Sequence, residues 1–209
     1  MADHYYPAAP QSAHNIRRFT ADFAGKTLTF ETDAGVFSRE HLDPGTILLA
    51  KSVPDTLAGR VLDVGCGWGA LSILLYARNP KFTFTLCDIN ERALDLCRKN
   101  LAHNGMTGDV LQSDGLANIT GTFDVIVTNP PIRAGKAVIY KMFDDSGKHL
   151  TPDGSLFLVI RKQQGAPSAL KYLKTRFEKA ETIARESGYH IIRCDRYHPV
   201  DAAPIEIEE

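Results

Sequence analysis

The sequence predicts an α/β fold built around a doubly wound, mostly parallel β-sheet. From Gly59 onward, short apolar runs typical of buried strands alternate with longer segments of helical periodicity. The first of these strands ends in a glycine-rich turn, as expected where a strand meets a helix in such a sheet. The last two strands have no helix between them, which predicts an antiparallel hairpin at one edge.

Before Gly59, the chain predicts a small β-hairpin and a short helix. Residues 26–37 (KTLTFETDAGVF) alternate apolar and polar side chains, with a turn at Asp33–Gly35. Asp43 and Pro44 then begin a short helix, because Asp caps helix N-termini and Pro fits their first turn.

The alternating segments follow in order along the rest of the chain. Predicted strands span residues 60–65, 82–88, 109–114, 123–129, 155–161 and 189–200, the last as one or two strands. Predicted helices span residues 70–79, 90–105, 135–150 and 167–187. Connections between parallel strands through helices of this length have a right-handed crossover, and their helices cover both faces of the sheet.

Composition predicts an ordinary soluble globular chain of 209 residues, with 44% hydrophobic and 23% charged residues. No apolar stretch approaches the ~18 residues that span a bilayer, so no membrane partner is expected. The N-terminal residues include no basic segment followed by an apolar run, so export is not expected. The four cysteines show neither Cys-x-x-Cys spacing nor matched histidines, so we expect reduced thiols in the cytoplasm, without metal or disulfide.

The net charge of −1 argues against indiscriminate, charge-driven binding of nucleic acid. Without the four acidic residues of the tail 201–209, however, residues 1–200 carry +3. Basic residues also concentrate in residues 161–179, where Glu178 is the one acidic residue. This basic region is either a face for an anionic ligand or a solvated helix face.

The first turn after Gly59, LDVGCGWGAL, carries three candidate cofactor-binding glycines. Gly65 permits a tight exit from the strand, Gly67 lets backbone approach a ligand, and Gly69 allows the helix to pack near the strand. By itself this triplet fits a fold that binds NAD, a fold that binds S-adenosylmethionine, or a simple tight turn.

Acidic residues near this turn favour one cofactor. Asp88 follows Gly65 by 23 residues, at the end of the next strand, where a carboxylate can accept both hydroxyls of a ribose. Asp114, before Gly115, either meets an adenine amino group or forms a turn. Asp63 would repel a pyrophosphate but suits the ammonium of a methionine moiety, which favours S-adenosylmethionine over a nicotinamide dinucleotide.

The segment TNPPIR, residues 128–133, ends the fourth predicted strand. A residue before proline is extended and each proline fixes its own φ, so Asn129 and the carbonyl of Pro130 are held rigidly. These two acceptors suit the hydrogens of a planar amino group, whose lone pair then points at an incoming methyl. Ile132 would provide an apolar wall for a flat base.

These motifs resemble those of a known enzyme class. VLDVGCGWGALS, CDIN, SDG and VTNPPIRAGK are similar to motifs of class I S-adenosylmethionine-dependent methyltransferases that act on exocyclic amino groups. HYY, ETDAGVFS, LDPGTILLA and NPPIRAGK resemble the small-subunit ribosomal RNA guanine-N2 methyltransferases, in their short single-domain form. The resemblance covers nearly the whole chain, from about His4 to the fifth strand. It implies a Rossmann-like seven-stranded sheet, with an N-terminal extension over residues 1–45 and a methyltransferase domain over residues 46–209.

The resemblance also implies roles for individual residues, and ribosomal RNA or the small ribosomal subunit as partner. The cofactor would contact Phe37, Asp63, Gly65, Gly67, Gly69, Asp88, Ile89, Asp114 and Gly115. The target base would meet the catalytic turn Asn129, Pro130, Pro131 and Ile132, with Ser38, Arg133 and Lys136 as further RNA contacts. Ile132 replaces the aromatic residue with which many DNA enzymes stack a flipped adenine, so stacking must come from elsewhere or be weaker.

Other hypotheses stay open on the sequence alone. The same turn can serve a protein glutamine amide, a DNA adenine or a small-molecule amine, because each nitrogen meets the same pair of acceptors. A non-catalytic RNA-binding or ribosome assembly role and an NAD-linked oxidoreductase are further alternatives. Arg17, Arg18 and the basic region could hold phosphates beside a splayed-out guanine. Arg133 and Lys136 are equally compatible with plain loop charges, Trp68 with shielding the cofactor or packing under the loop, and the chain with a monomer or a dimer.

Overall fold

The computed structural model describes residues 13–199, which begin with an antiparallel hairpin of β1 (Arg17–Phe23) and β2 (Lys26–Thr32). An N-terminal hairpin exists, but the predicted bounds 26–37 are wrong: residues 26–32 form only its second strand, and the connecting turn lies at Ala24–Gly25. Residues 34–35 form a turn after β2 that joins no paired strands. Ala24 and Gly25 both have positive φ, 50° and 74°. A tight hairpin turn of this kind favours Asn or Gly at both positions, so Ala24 gives only a weak signal in the sequence.

A seven-stranded sheet forms the centre of the molecule. Its strands are β3 (Gly59–Val64), β4 (Phe82–Asp88), β5 (Asp109–Gln112), β6 (Phe123–Thr128), β7 (Leu150–Arg161), β8 (Phe177–Glu186) and β9 (Tyr189–Tyr197). They lie in the order β5-β4-β3-β6-β7-β9-β8. Strands β3 to β7 pair in parallel, whereas β9 runs antiparallel to both β7 and β8. The predicted mostly parallel sheet with an antiparallel C-terminal hairpin is therefore confirmed.

Five helices cover the two faces of this sheet. They are α1 (Pro44–Ser52), α2 (Ala70–Arg78), α3 (Glu91–His103), α4 (Lys136–Lys148) and α5 (Ala166–Leu173). Buried side chains of α1, α2, α3 and the hairpin pack in one core with one face of the sheet. Those of α4 and α5 pack in a second core on the opposite face. The helix 90–105 was predicted correctly, since Asn90 caps α3 through a bond from Ala93 N.

The predicted helix over residues 167–187 is wrong in its second half. Helix α5 ends at Leu173, and β8 then pairs with β9 along the edge of the sheet. The apolar residues Phe177, Ala180 and Ala184 recur at helical spacing in a segment rich in good helix formers. Pairing with β9 overrides that local preference, and the register shift between Thr182 and Ala184 lets the irregular spacing fit a strand.

Two asparagines, one in α3 and one that caps its C-terminus, attach the N-terminal hairpin to the body of the protein. Asn100 accepts a hydrogen bond from Glu31 N and donates to Glu31 O at 2.9 Å. Asn104 does the same for Thr29, with distances of 3.0 and 2.8 Å. Four residues of helix rise ~6 Å and two residues of strand ~6.6 Å, so each amide meets alternate residues of β2. The side chains of α3 therefore pair with the outer edge of β2 as a strand would.

No helix within residues 13–199 is long and apolar enough to cross a membrane. The four cysteines are buried free thiols. Burial, together with the nearby carboxylates of Asp63 and Asp88, raises the pKa of the Cys87 thiol to about 12, against an opposing hydrogen bond from the Gly65 backbone. Cys87 therefore remains a protonated, unreactive thiol at neutral pH.

Replacing Asn100 should destabilise the protein more than a surface change on the same helix. Asn100 is fully buried, and its amide also donates to Trp68 O at 2.9 Å. Asn100→Ala leaves these backbone groups without partners, so we expect a loss of about 2–4 kcal/mol in the free energy of unfolding, measured in urea. The exposed neighbour Lys99 is the control, and Lys99→Ala should change stability by less than about 0.5 kcal/mol. Equal effects would show that the hairpin does not depend on this attachment.

Candidate active site

The candidate site lies where β3 and β6 end side by side. The chain adds β4 and β5 on one side of β3, and β6 and β7 on the other, so the topological switch point falls between β3 and β6. Val64 pairs with Thr128, and the buried Thr128 hydroxyl donates to Val64 O at 2.8 Å. The glycine loop after Val64 and the Asn-Pro-Pro turn after Thr128 therefore leave the sheet next to each other.

The glycine loop is built to bring backbone close to a ligand. Gly65 N and Cys66 N both donate to Cys87 O at 2.9 Å, which holds the start of the loop against β4. A Cβ added at Gly65 or Gly67 would meet no atom within 4 Å, so this side of the loop is open. A Cβ at Gly69 would lie 2.9 Å from Cys97 Sγ, so α2 starts in close contact with α3.

Asp88 connects the end of β4 to this loop. One carboxylate oxygen accepts from Gly67 N at 2.8 Å and the other from Asn90 N at 2.9 Å. Burial raises the pKa of Asp88, and the hydrogen bonds from Asn90, Gly67 and Ile89 oppose that rise. Each oxygen of an ionised carboxylate keeps a second lone pair, so Asp88 can still accept two hydroxyl groups. The open loop and this carboxylate fit the nucleoside part of S-adenosylmethionine.

The third strand contributes the next part of the candidate cofactor site. Asp114 and Gly115 follow β5 at the same edge of the sheet, and Asp114 is exposed. Gly115 has a φ of 55°, and its carbonyl accepts from the buried Cys87 thiol at 3.6 Å. Ile89, half-buried, accepts through its carbonyl from Gln112 Nε2 at 3.2 Å. These contacts fix the loops after β4 and β5 relative to each other.

Asp63 lies beneath the glycine loop, 1% exposed, and has a structural partner. The Ser72 hydroxyl donates to Asp63 Oδ2 at 2.7 Å, in the first turn of α2. Helix α2 starts after Gly69, which has no side chain to cap it, so the carboxylate of Asp63 acts at that helix end. Burial is the main cause that raises the pKa of Asp63 to about 7; the bonds with Ser72 oppose this rise and the charge of Asp88 adds to it.

The Asn-Pro-Pro turn forms a stiff elbow at the end of β6. Asn129 is half-buried and Pro130 is buried, and a 3-10 turn over Ile132–Ala134 follows. Ala134 N donates to Pro131 O at 2.8 Å, which closes the elbow. Ile132 is half-buried against the second core.

The amide of Asn129 contacts α1, an interaction that sequence reasoning missed. Asn129 Nδ2 donates to Asp43 Oδ2 at 3.2 Å and to Thr46 Oγ1 at 3.0 Å. Asp43 caps α1 as predicted, accepting from Thr46 N at 2.8 Å. The segment LDPGT predicted the start of a helix, but nothing in it indicated that Asp43 would bond to Asn129, 86 residues away.

A loop between β2 and α1 carries the remaining predicted residues. Phe37 is 50% exposed, and its carbonyl accepts from Trp68 Nε1 at 2.7 Å. Ser38 has a φ of 50° and donates to His41 O at 2.7 Å. Trp68 is 3% exposed and packs edge-on against the rings of Phe19 and Phe30. Trp68 therefore packs under the glycine loop against the hairpin, and it anchors the loop that carries Phe37.

A parallel sheet with this strand order, an open glycine loop and acidic residues at its carboxyl edge define a Rossmann-like methyltransferase that uses S-adenosylmethionine. The family model of the methyltransferase small domain matches residues 27–193. The chain belongs to this family.

One relative aligns over its full length with this chain, and others are longer proteins that align over about half of their length. The uncharacterized protein YbxB of Bacillus subtilis is 38% identical over 200 residues, covering 94% of this chain and 100% of YbxB. Ribosomal RNA small subunit methyltransferase C of Salmonella paratyphi B is 34% identical over 187 residues, covering 88% of this chain and 54% of the relative. The chain therefore spans about half the length of the methyltransferase C relatives.

A solved structure shows the same architecture. The 16S rRNA guanine-N2 methyltransferase (RsmC) of T. thermophilus, in complex with AdoMet and guanosine, superposes with a TM-score of 0.78 at 27% identity. The superposition covers 90% of this chain and 52% of that one. The described residues of this chain therefore correspond to about half of that longer protein.

Asp63 should make stability depend on pH in the weakly acidic range. Its pKa of about 7 in the folded protein exceeds the ordinary value of 3.8, so the folded state binds the proton more tightly. This contribution to stability is fully present below pH ~4 and is lost as the pH rises to about 7. The stability difference between wild type and Asp63→Asn should therefore shift against wild type over that range, by up to about 4 kcal/mol. Urea unfolding of both proteins at several pH values measures it, and a constant difference would contradict the assignment.

Proposed function

We propose that this chain transfers a methyl group from S-adenosylmethionine to the 2-amino group of a guanine in small-subunit ribosomal RNA. The observation that carries the proposal is the elbow at Asn129–Pro130, held beside the open glycine loop by the pairing of β3 with β6. The named activity of the methyltransferase C relatives and the guanosine in the T. thermophilus complex support this acceptor.

The elbow supplies orientation more than acid–base chemistry. S-adenosylmethionine provides, when bound, a methyl group on a positively charged sulfur. The Asn129 amide oxygen and the Pro130 carbonyl accept the two hydrogens of the target amino group and direct its lone pair toward that methyl. The nitrogen–carbon bond forms as the carbon–sulfur bond breaks, the electron pair stays on sulfur, and the nitrogen then loses a proton to water. Placing two acceptors around a nitrogen that gains positive charge also stabilises the transition state.

The proposal assigns roles to several of the predicted residues. In this proposal Gly65, Gly67, Asp88 and Asp114 hold the cofactor through backbone and carboxylate groups. Ile132 and the exposed ring of Phe37 provide apolar surface for the base. Phe37 supplies the aromatic face that Ile132 lacks, and Trp68 holds the backbone of Phe37 in place.

In the structure, the basic residues of the segment 161–179 do not form a single face. Arg176 lies 3.3 Å from Asp144 and Lys179 lies 2.6 Å from Glu181, so both have acidic partners. Lys162, in contrast, is exposed at the carboxyl edge of β7, the edge that also carries Asn129. Lys162 N donates to Gly188 O at 2.8 Å, which places this lysine at the turn between β8 and β9.

That turn brings together a basic corner, defined here as Lys162 and Arg185, with His190 of β9 beside them. Arg185 pairs directly with His190 across β8 and β9. Burial lowers the pKa of His190, and the positive charges of Arg185 and Lys162 lower it further. Lys162 follows β7, the strand next to β6, and Arg185 lies on β8, three strand spacings or roughly 14 Å from β6. In this proposal the basic corner holds a phosphate on the side of the target nucleotide toward β8. Arg133 and Lys136, exposed beside the elbow, are placed for a second phosphate.

Methylation of purified substrates tests the proposed function. The protein should transfer labelled methyl groups to 16S rRNA or small ribosomal subunits that lack the modification, and mass mapping of the product should find N2-methylguanine. Asn129→Ala should reduce the rate at least 100-fold while the affinity for S-adenosylhomocysteine changes less than twofold, because the cofactor contacts remain.

The alternative acceptors serve as the comparison in the same assay. Glutamine-containing proteins, DNA and small-molecule amines should remain unlabelled. Labelling of any of these with the RNA untouched would overturn the acceptor, and equal activity of Asn129→Ala would overturn the catalytic elbow.

The basic corner should contribute to RNA affinity but not to cofactor binding. Lys162→Ala and Arg185→Ala should each weaken binding of 16S rRNA or small subunits and reduce the slope of log K against log salt by about 1, because each removes one phosphate contact. Lys81→Ala is the matched control, since Lys81 is exposed in the loop before β4, at the opposite edge of the sheet. Filter binding at several salt concentrations measures the slopes, and equal slopes for all proteins would exclude the basic corner from the RNA interface.

A further inference from the structure

We infer that Asp43 is a positioning residue that sets the direction of the Asn129 amide. This inference rests on the proposed function for its catalytic consequence, although the contacts stand independently of it. Both hydrogens of the Asn129 amide point at oxygens of the N-terminus of α1: Asp43 Oδ2 at 3.2 Å and Thr46 Oγ1 at 3.0 Å. The amide is thus fully used on its nitrogen side.

The chemistry of the two partners allows only one orientation of this amide. An ionised carboxylate accepts hydrogen bonds and donates none, so the group facing Asp43 must be the NH2 and not the oxygen. The Thr46 hydroxyl lies 3.2 Å from the same Asp43 oxygen, to which it donates, and this leaves its own oxygen to accept from Asn129. A flipped amide would place oxygen against carboxylate oxygen, which is repulsive.

This orientation is what the proposed reaction requires. With its nitrogen turned to α1, Asn129 presents its oxygen on the opposite side, as an acceptor for an amino group. A flipped amide would offer its own NH2 to that amino group, and two donors cannot bond. The negative charge of Asp43 also polarises the amide, which strengthens its oxygen as an acceptor while the target nitrogen gains positive charge.

Asp43 is itself fixed by Thr46 and Tyr189, and Arg161 in turn holds Tyr189. Its Oδ2 accepts from Thr46 N at 2.8 Å, and its Oδ1 accepts from the Tyr189 hydroxyl at 3.1 Å. Arg161 Nη2 donates to that hydroxyl at 2.6 Å, and its guanidinium lies 4.5 Å from the centre of the Tyr189 ring. Gly45 permits this arrangement, because a Cβ there would come within 2.5 Å of the Tyr189 ring.

The first test reads the amide directly and needs no acceptor substrate. In protein labelled with 15N-asparagine, the side-chain NH2 signals of Asn129, identified by their loss in Asn129→Ala, should exchange slowly with water. Asp43→Ser should raise their exchange rate at least tenfold, because serine still caps α1 but cannot hold the amide. Asp55→Ser, which removes an exposed acid just beyond the other end of α1, should leave the exchange rate unchanged. Equal exchange in wild type and Asp43→Ser would overturn the inference.

The second test separates positioning from a merely structural role. Asp43→Ser should lower the single-turnover rate of methyl transfer to 16S rRNA by about 10–100-fold, with Tm and S-adenosylhomocysteine affinity nearly unchanged. In the Asn129→Ala background the same change should cost less than about twofold, because the group that it orients is gone. A full cost in both backgrounds would overturn the inference. Slow exchange in wild type without methylation of any RNA would instead refute the proposed function and leave the positioning intact.

Discussion

The pairing of Val64 with Thr128 is the constraint on which the rest of the site depends. Two segments 64 residues apart leave adjacent parallel strands at the same level, and the buried Thr128 hydroxyl adds a bond to the Val64 carbonyl. A slip of this register by one residue would turn every buried side chain of β6 to the other face of the sheet. Because β6 is buried on both faces between two cores, the relative position of the glycine loop and the elbow is strongly determined.

The elements that were predicted correctly are those whose sequence pattern lies within a few consecutive residues. Buried strands such as β3 and β6 appear as short apolar runs, and the start of α3 is evident from its Asn90 cap. The errors fall where local preference and tertiary pairing disagree. Strand β8 has helix-forming residues at helical spacing. It forms a strand because its backbone pairs with β9 at the edge of the sheet. The hairpin turn is at Ala24 and not at Asp33–Gly35, although the latter has the stronger turn composition.

The candidate site likewise contains residues that the sequence predicted and contacts that it did not. The glycines, Asp88 and the Asn-Pro-Pro turn are consecutive or lie at fixed offsets from predicted strand ends, so topology alone brings them to one edge. The contacts of Asn129 with Asp43 and of Asn100 with β2 join residues that are 86 and 69 apart. Single polar side chains that bond across such distances leave no periodic trace in the sequence. Asp63 shows a different difficulty, because its sequence position suits a cofactor ammonium and its structure adds a bond to Ser72 at the start of α2.

The carboxylates of Asp63 and Asp88, both near the glycine loop, affect the charge of the ligand that the site favours. Asp88 is close enough to raise the pKa of Asp63, and Asp63 is buried while Asp88 is half-buried. A cation bound beside them would relieve this repulsion, so acids at this position favour a positively charged ligand over a neutral one of the same shape. Under the proposed function, methyl transfer converts a positively charged sulfonium into a neutral thioether. Acids beside the cofactor would therefore attract it more strongly before the transfer than after it.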